Sequence, residues 1–181
     1  AKCVRHNAIS VDKTPLYINL DETSVAYNYG KGKGLVVSQR SLPPGKSHRK
    51  EPIKSQDAKA HISFLAFLTH DSMIQPKLPQ IFIGNHHKFT LKLLRKLKDK
   101  IPEGFYLWRE ESSWNSHKLM RRALALLVRH LQEFQSSRQL VLVLDVARCH
   151  MHKTISDLAD RLGVRLLYVP AKLTWLLQPA D

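Results

Sequence analysis

Polar and apolar positions change period along this chain, and the changes mark out its elements. In residues 16–21 (LYINLD), Leu16, Ile18 and Leu20 alternate with Tyr17, Asn19 and Asp21. That is the period of a half-buried strand, with Asp21 on its more polar face. Residues 25–29 and 35–38 flank Gly30-Lys31-Gly32-Lys33-Gly34, which predicts a hairpin returning across the first strand. The glycines resemble a phosphate loop only superficially, because neither a Gly-Lys-Ser/Thr ending nor a helix follows them. Residues 41–54 (SLPPGKSHRKEPIK) combine Pro, Gly and basic side chains in what reads as an exposed loop that could lie on DNA. His61–Thr69 (HISFLAFLT) and residues 80–83 (QIFI) read as buried strands, separated by a connection through Pro76 and Pro79. These strands make the antiparallel part of a sheet.

Helical spacing follows. Residues 89–100 set Leu91, Leu94 and Leu97 among Lys92, Arg95, Lys96 and Lys98, a short basic amphipathic helix. Residues 105–108 read as a short strand. Between positions 115 and 135, Met120, Ala123, Leu124, Leu127, Val128, Leu131 and Phe134 form one stripe, with Asn115 or Ser116 able to cap the helix. Residues 140–144 (LVLVL) run unbroken into Asp145, the pattern of a central strand covered on both faces. A helix over 154–162 closes at Gly163, and residues 164–169 (VRLLYV) read as a second covered strand. Strand, helix and strand imply a right-handed parallel crossover. The fold class is α/β, and no internal repeat is visible.

Composition narrows the partners. The 181 residues suit one compact domain. With 29 Lys and Arg against 15 Asp and Glu, the formal charge is +14, and such a surface favours nucleic acid, with an anionic membrane surface as the weaker option. Cys3 and Cys149 stand too far apart in sequence to form a disulfide framework and suit a reducing compartment. No apolar run reaches the length of a membrane span, and Ala1 reads as the start of a fragment.

Three aspartates carry the candidate chemistry: Asp21 in the first strand, Asp145 at the carboxyl end of the central strand, and Asp181 after Gln178-Pro179. Ligands of open α/β sheets gather beyond the carboxyl ends of parallel strands. Carboxylates brought together there repel one another, and a divalent cation removes that cost. Hard oxygen donors select Mg²⁺ or Mn²⁺, and two ions about 4 Å apart suit phosphodiester chemistry.

These residues resemble a known family. Residues 18–23 (INLDET) are similar to the first catalytic motif of mariner/pogo transposases, and residues 142–150 (LVLDVARCH), with His150 five positions after Asp145, to the second. Residues 169–181 (VPAKLTWLLQPAD) resemble the third, a Pro-rich approach and a Gln-Pro pair leading to the last acid. Thirty-five residues separate Asp145 from Asp181, close to the family's short spacing.

The resemblance implies a ribonuclease-H-like fold, a mixed sheet with antiparallel first strands and parallel later strands flanked by helices. It implies an acidic triad of Asp21, Asp145 and Asp181 holding two Mg²⁺ or Mn²⁺ ions. It also implies an endonuclease and strand transferase that cuts transposon ends and joins them to target DNA, working in the nucleus and paired as a homodimer in the synaptic complex. On this reading residues 1–181 are one catalytic core that stops at the third Asp, without the family's N-terminal helix-turn-helix. Val146 stands where the family commonly has Asn, and a domesticated, non-cutting DNA-binding protein is the second reading.

Other residues are weaker candidates. His150 reads as a residue that supports Asp145 or faces DNA, with a satisfied structural histidine as an equal alternative, while Glu22 points away from the face of Asp21. Lys31, Lys33, Lys46, Arg49 and Lys50 are candidates for phosphate contacts, and Trp175 for stacking on a base; Trp108 and Trp114 read as core. Cys149, His150 and His152, with His86 and His87, lack the paired spacing of a zinc site. A dehalogenase-type phosphotransferase expects a second Asp where Thr23 stands.

Overall fold

The computed structural model describes residues 12–26, 61–87, 89–111, 116–170 and 173. In chain order the elements are β1 (Thr14–Ala26), β2 (His61–Thr69), β3 (Gln80–Asn85), α1 (Leu91–Leu97), β4 (Phe105–Glu110), α2 (His117–His130), β5 (Arg138–Asp145), α3 (Lys153–Arg161) and β6 (Arg165–Val169), with short 3₁₀ turns between some of them.

The strands form one sheet in the order β4-β3-β2-β1-β5-β6. β1, β2 and β3 pair antiparallel, whereas β5 is parallel to β1, β6 to β5 and β4 to β3. This is the expected mixed sheet with an antiparallel first part and parallel later strands. The first strand differs from expectation: β1 runs without a break from Thr14 to Ala26, so Val25 continues it instead of opening a second strand. Its pairing with β2 holds from Ile18↔Thr69 to Ala26↔His61, and this long ladder keeps the chain extended past Asp21. The Gly30–Gly34 turn and residues 35–38 lie outside the described residues.

Period two divides the sheet into two faces. Leu16, Ile18 and Leu20 of β1, Leu65 and Phe67 of β2, and Leu140, Leu142 and Leu144 of β5 are all buried on one face. Against them pack Leu119, Met120, Ala123, Leu124 and Leu127 of α2 and Ile155 and Ala159 of α3, which completes the core. Fully burying one Leu or Ile side chain contributes roughly 1.5–3 kcal/mol, so this layer is the main source of stability. The other face is more open, with Tyr17 43% and Leu167 38% exposed. Covering on both faces is therefore not met for β6, an edge strand whose outward residues meet solvent.

Helix ends follow their local chemistry. Ser116 caps α2 by accepting from the Leu119 amide. The helix expected to run on to residue 135 ends as α2 at His130 and tightens into a 3₁₀ turn over Gln132–Phe134. Gly163 closes α3 at φ +69°: its amide donates to the Asp160 carbonyl and that of Val164 to the Ala159 carbonyl, which is a Schellman motif. Gly84 serves packing, because a Cβ there would stand 2.6 Å from the Phe89 ring.

Candidate active site

β1 and β5 pair in parallel from Thr14↔Arg138 to Asn19↔Val143, a constant offset of 124 (138 − 14 = 143 − 19). The paired ladder ends there, and Asp21 and Asp145 each follow its last pair by two residues. Side chains two residues apart along a strand share a face, so Asp21 stands with Asn19 and Asp145 with Val143 on the open face, toward the carboxyl end of β5. Asn19 ties the strands just behind them: its buried side-chain amide donates to the Val143 carbonyl at 3.3 Å.

Asp145 ends its strand and folds the chain back on itself. Its Oδ1 accepts from the Ala147 amide at 3.3 Å, and the amides of His150 and Met151 both donate to the Ala147 carbonyl. This tight turn returns His150 to within 2.6 Å of the same Oδ1 through its Nδ1. A spacing of five is thus what one turn needs to close on the carboxylate. The His150 side chain is 5% exposed and that of Asp145 33%. Tyr168 fixes the turn from β6, its hydroxyl donating to the His150 carbonyl at 3.0 Å.

Burial alone would pull the His150 pKa down, but its hydrogen bond to Cys149 and the charges of Cys149 and Asp145 outweigh that and raise it to about 9. The shift favours the protonated imidazole, whose Nδ1 faces Oδ1 of Asp145. Because His150 and the Ala147 amide both engage Oδ1, Oδ2 is turned to neither.

Asp21 accepts from the Glu22 amide at 2.8 Å. Glu22 pairs with the core-face residue Leu65 and so stands on the face away from Asp21, as the strand period predicts. Its Oε1 is buried and makes no hydrogen bond.

Asp21 and Asp145 are a hard-oxygen donor pair of the kind that suits Mg²⁺ or Mn²⁺. Asp181, the third expected ligand, lies outside the described residues, and among the described residues no group of three His, Cys, Asp or Glu side chains gathers to hold a metal. Lys31, Lys33, Lys46, Arg49, Lys50 and Trp175 also lie outside them. His152 is engaged elsewhere: its Nδ1 meets the Thr154 hydroxyl at 2.9 Å, and its ring stacks on His117. Trp108 is buried beneath the Arg122 guanidinium, as a core residue.

Sequence reasoning missed Asn19 and Tyr168. The signal for Asn19 was a polar residue in phase with Asp21; for Tyr168, within a run of apolar residues, there was none.

No protein-family model matches the chain, and no curated protein sequence does either. By shape it is similar to a solved chain of the Mos1 transposase, in a paired-end complex with the left transposon end. The two are 12% identical with a TM-score of 0.51, and the match covers 91% of this chain but 38% of that one. The likeness is one of fold. The mariner-type resemblance read from the three motifs thus holds for the architecture, with its mixed sheet and flanking helices.

Proposed function

We propose that this chain is the catalytic core of a metal-dependent DNA endonuclease and strand transferase, with Asp21, Asp145 and Asp181 as the residues that hold two Mg²⁺ or Mn²⁺ ions. One observation supports the reading: β1 and β5 pair in parallel as far as Asn19↔Val143, and by strand period Asp21 and Asp145, two residues beyond, fall on the same face toward the carboxyl ends of parallel strands, where ligands of open sheets bind. Two cations held by these carboxylates would supply activation of the attacking oxygen and stabilisation of the leaving oxygen in an in-line displacement at phosphorus.

The chain's own residues set the geometry. Asn19 joins the two strands just behind the carboxylates, the turn after β5 orients Asp145, and His150 with Tyr168 keeps Oδ1 engaged so that Oδ2 can meet a cation. The formal charge of +14 fits DNA as the substrate. Transposon ends and target DNA as substrates, a homodimer in the synaptic complex and a nuclear location complete the proposal.

Nicking of supercoiled plasmid by the full-length protein tests it. Cutting that depends on Mg²⁺ or Mn²⁺ is expected, and Asp145→Asn lowers it by more than the roughly 100-fold that loss of an outer-sphere partner costs. If the wild-type protein binds DNA but neither protein cuts, a domesticated DNA-binding role becomes the better account. Val146, in the place of the family's Asn, is the residue that favours that second reading.

A further inference from the structure

Beside the carboxylates the structure gathers a second, unassigned surface. The turn after Asp145 leads directly into α3, and the ring of His152, which caps α3, stacks on that of His117 at the start of α2 with centroids 4.5 Å apart. The beginnings of both helices therefore meet next to the carboxyl edge of β5. Residues 116–122 and 146–156 contain five Lys or Arg, three His and no Asp or Glu. All five Lys and Arg are exposed, and among the described residues no carboxylate pairs with Lys118, Arg148 or Lys153 of the helix starts and the turn.

This placement runs against helix electrostatics. The first turn of a helix favours acidic side chains and disfavours cations. Yet neither α2 nor α3 has an acid in its first turn, and Lys118 and Lys153 stand there instead. Stability of the isolated fold does not explain the choice, whereas a polyanion lying across the surface does. These exposed side chains, rather than the helix ends, make the surface.

We propose that His117, Lys118, Arg148, His152 and Lys153 form a rim that grips the phosphate backbone of duplex DNA and leads it to Asp21 and Asp145. Such contacts hold and orient a duplex without reading its bases. The inference rests on the DNA-cutting function proposed above and adds a binding surface on the helix side of the carboxylates.

Fluorescence anisotropy of a short labelled DNA duplex, titrated with purified protein over a range of salt concentrations, tests the rim. The double variant Lys118→Glu, Lys153→Glu is compared with Lys96→Glu, Lys98→Glu, which changes the net charge equally on exposed residues at and just beyond the end of α1. The rim variant is expected to bind roughly tenfold more weakly, with a salt slope shallower by about 2, while the α1 variant stays within about twofold of wild type. Because the rim variant places acids in two first turns, it is expected to melt no lower than wild type. Equal losses in the two variants would overturn the rim and leave the cutting function standing, as would weak binding accompanied by a lower melting temperature. Failure of the wild-type protein to bind duplex at any salt concentration would overturn both.

Discussion

The two faces of the β1–β5 pair are built from alternate residues of the same two strands, yet they serve opposite ends. On one, Leu16, Ile18, Leu20, Leu140, Leu142 and Leu144 are sealed beneath α2 and α3. On the other stand Tyr17, Asn19 and Asp21 with Val141, Val143 and Asp145, beside a groove of about 690 Å³ lined by Tyr17, Asn19, Val143 and Leu167 among others. Because strand side chains alternate, the register that seals the core is the register that puts both carboxylates on the opposite face. A slip of one residue in either strand would turn that strand's aspartate toward the core and its leucines toward solvent. The face that carries the site is thus fixed by the same pattern that builds the core.

Substitutions at neighbouring positions of β5 break this comparison most forcibly. Leu142→Ala, on the sealed face, is expected to cost about 2–5 kcal/mol of unfolding free energy. Val143→Ala, half-buried on the open face, should cost about 1 kcal/mol or less, because its surroundings are already partly solvent. Urea unfolding of the two variants checks this, and equal losses would mean that the open face is sealed as well.

The next effect concerns pH. In metal-free protein the His150 pKa of about 9 lies above its unfolded value of about 6.5. Its stabilising contribution is therefore fully present below pH 6.5 and is lost as pH rises through 9. A decline on the order of 2 kcal/mol over that window is expected, and it should vanish in His150→Gln. A stability curve of the same shape in both proteins would show that His150 is not charged beside Asp145.

Smallest is the loss of a single hydrogen bond. Tyr168→Phe removes the donor to the His150 carbonyl, and about 1 kcal/mol of stability is expected to go with it. Nicking should fall more than that stability loss accounts for, because the turn that orients Asp145 is loosened; a variant that is less stable but cuts at the wild-type rate would make Tyr168 purely structural.

Much of the architecture was legible from periodicity, because it depends on short-range pattern. Alternation in residues 16–21, the stripe from Met120 to Leu131 and the apolar run before Asp145 each encode a face or a buried strand. What periodicity missed lay at element ends and edges. The extension of β1 through Val25 is imposed by its partner β2, and the exposure of Leu167 by the place of β6 at the edge of the sheet.

For the site, the pairing of Asp145 with His150 follows from a five-residue spacing that one turn can close. Asp21 and Asp145 are 124 residues apart, and only the pairing of β1 with β5 puts them on the same face of adjacent strands. Nothing local announces such a meeting. The motifs suggested a shared site by resemblance, and the link from Asn19 to Val143 could be found only in three dimensions. Asp181 and the loop lysines belong to stretches outside the described residues, where the sequence expectation stands as first made.

The most direct test is a crystal structure of the protein soaked in Mn²⁺, read by its anomalous signal. Manganese peaks contacting both the Asp21 and Asp145 carboxylates, with His150 still on Oδ1 of Asp145, are the predicted result. Carboxylates on opposite faces of the sheet, or manganese bound only elsewhere, would contradict it.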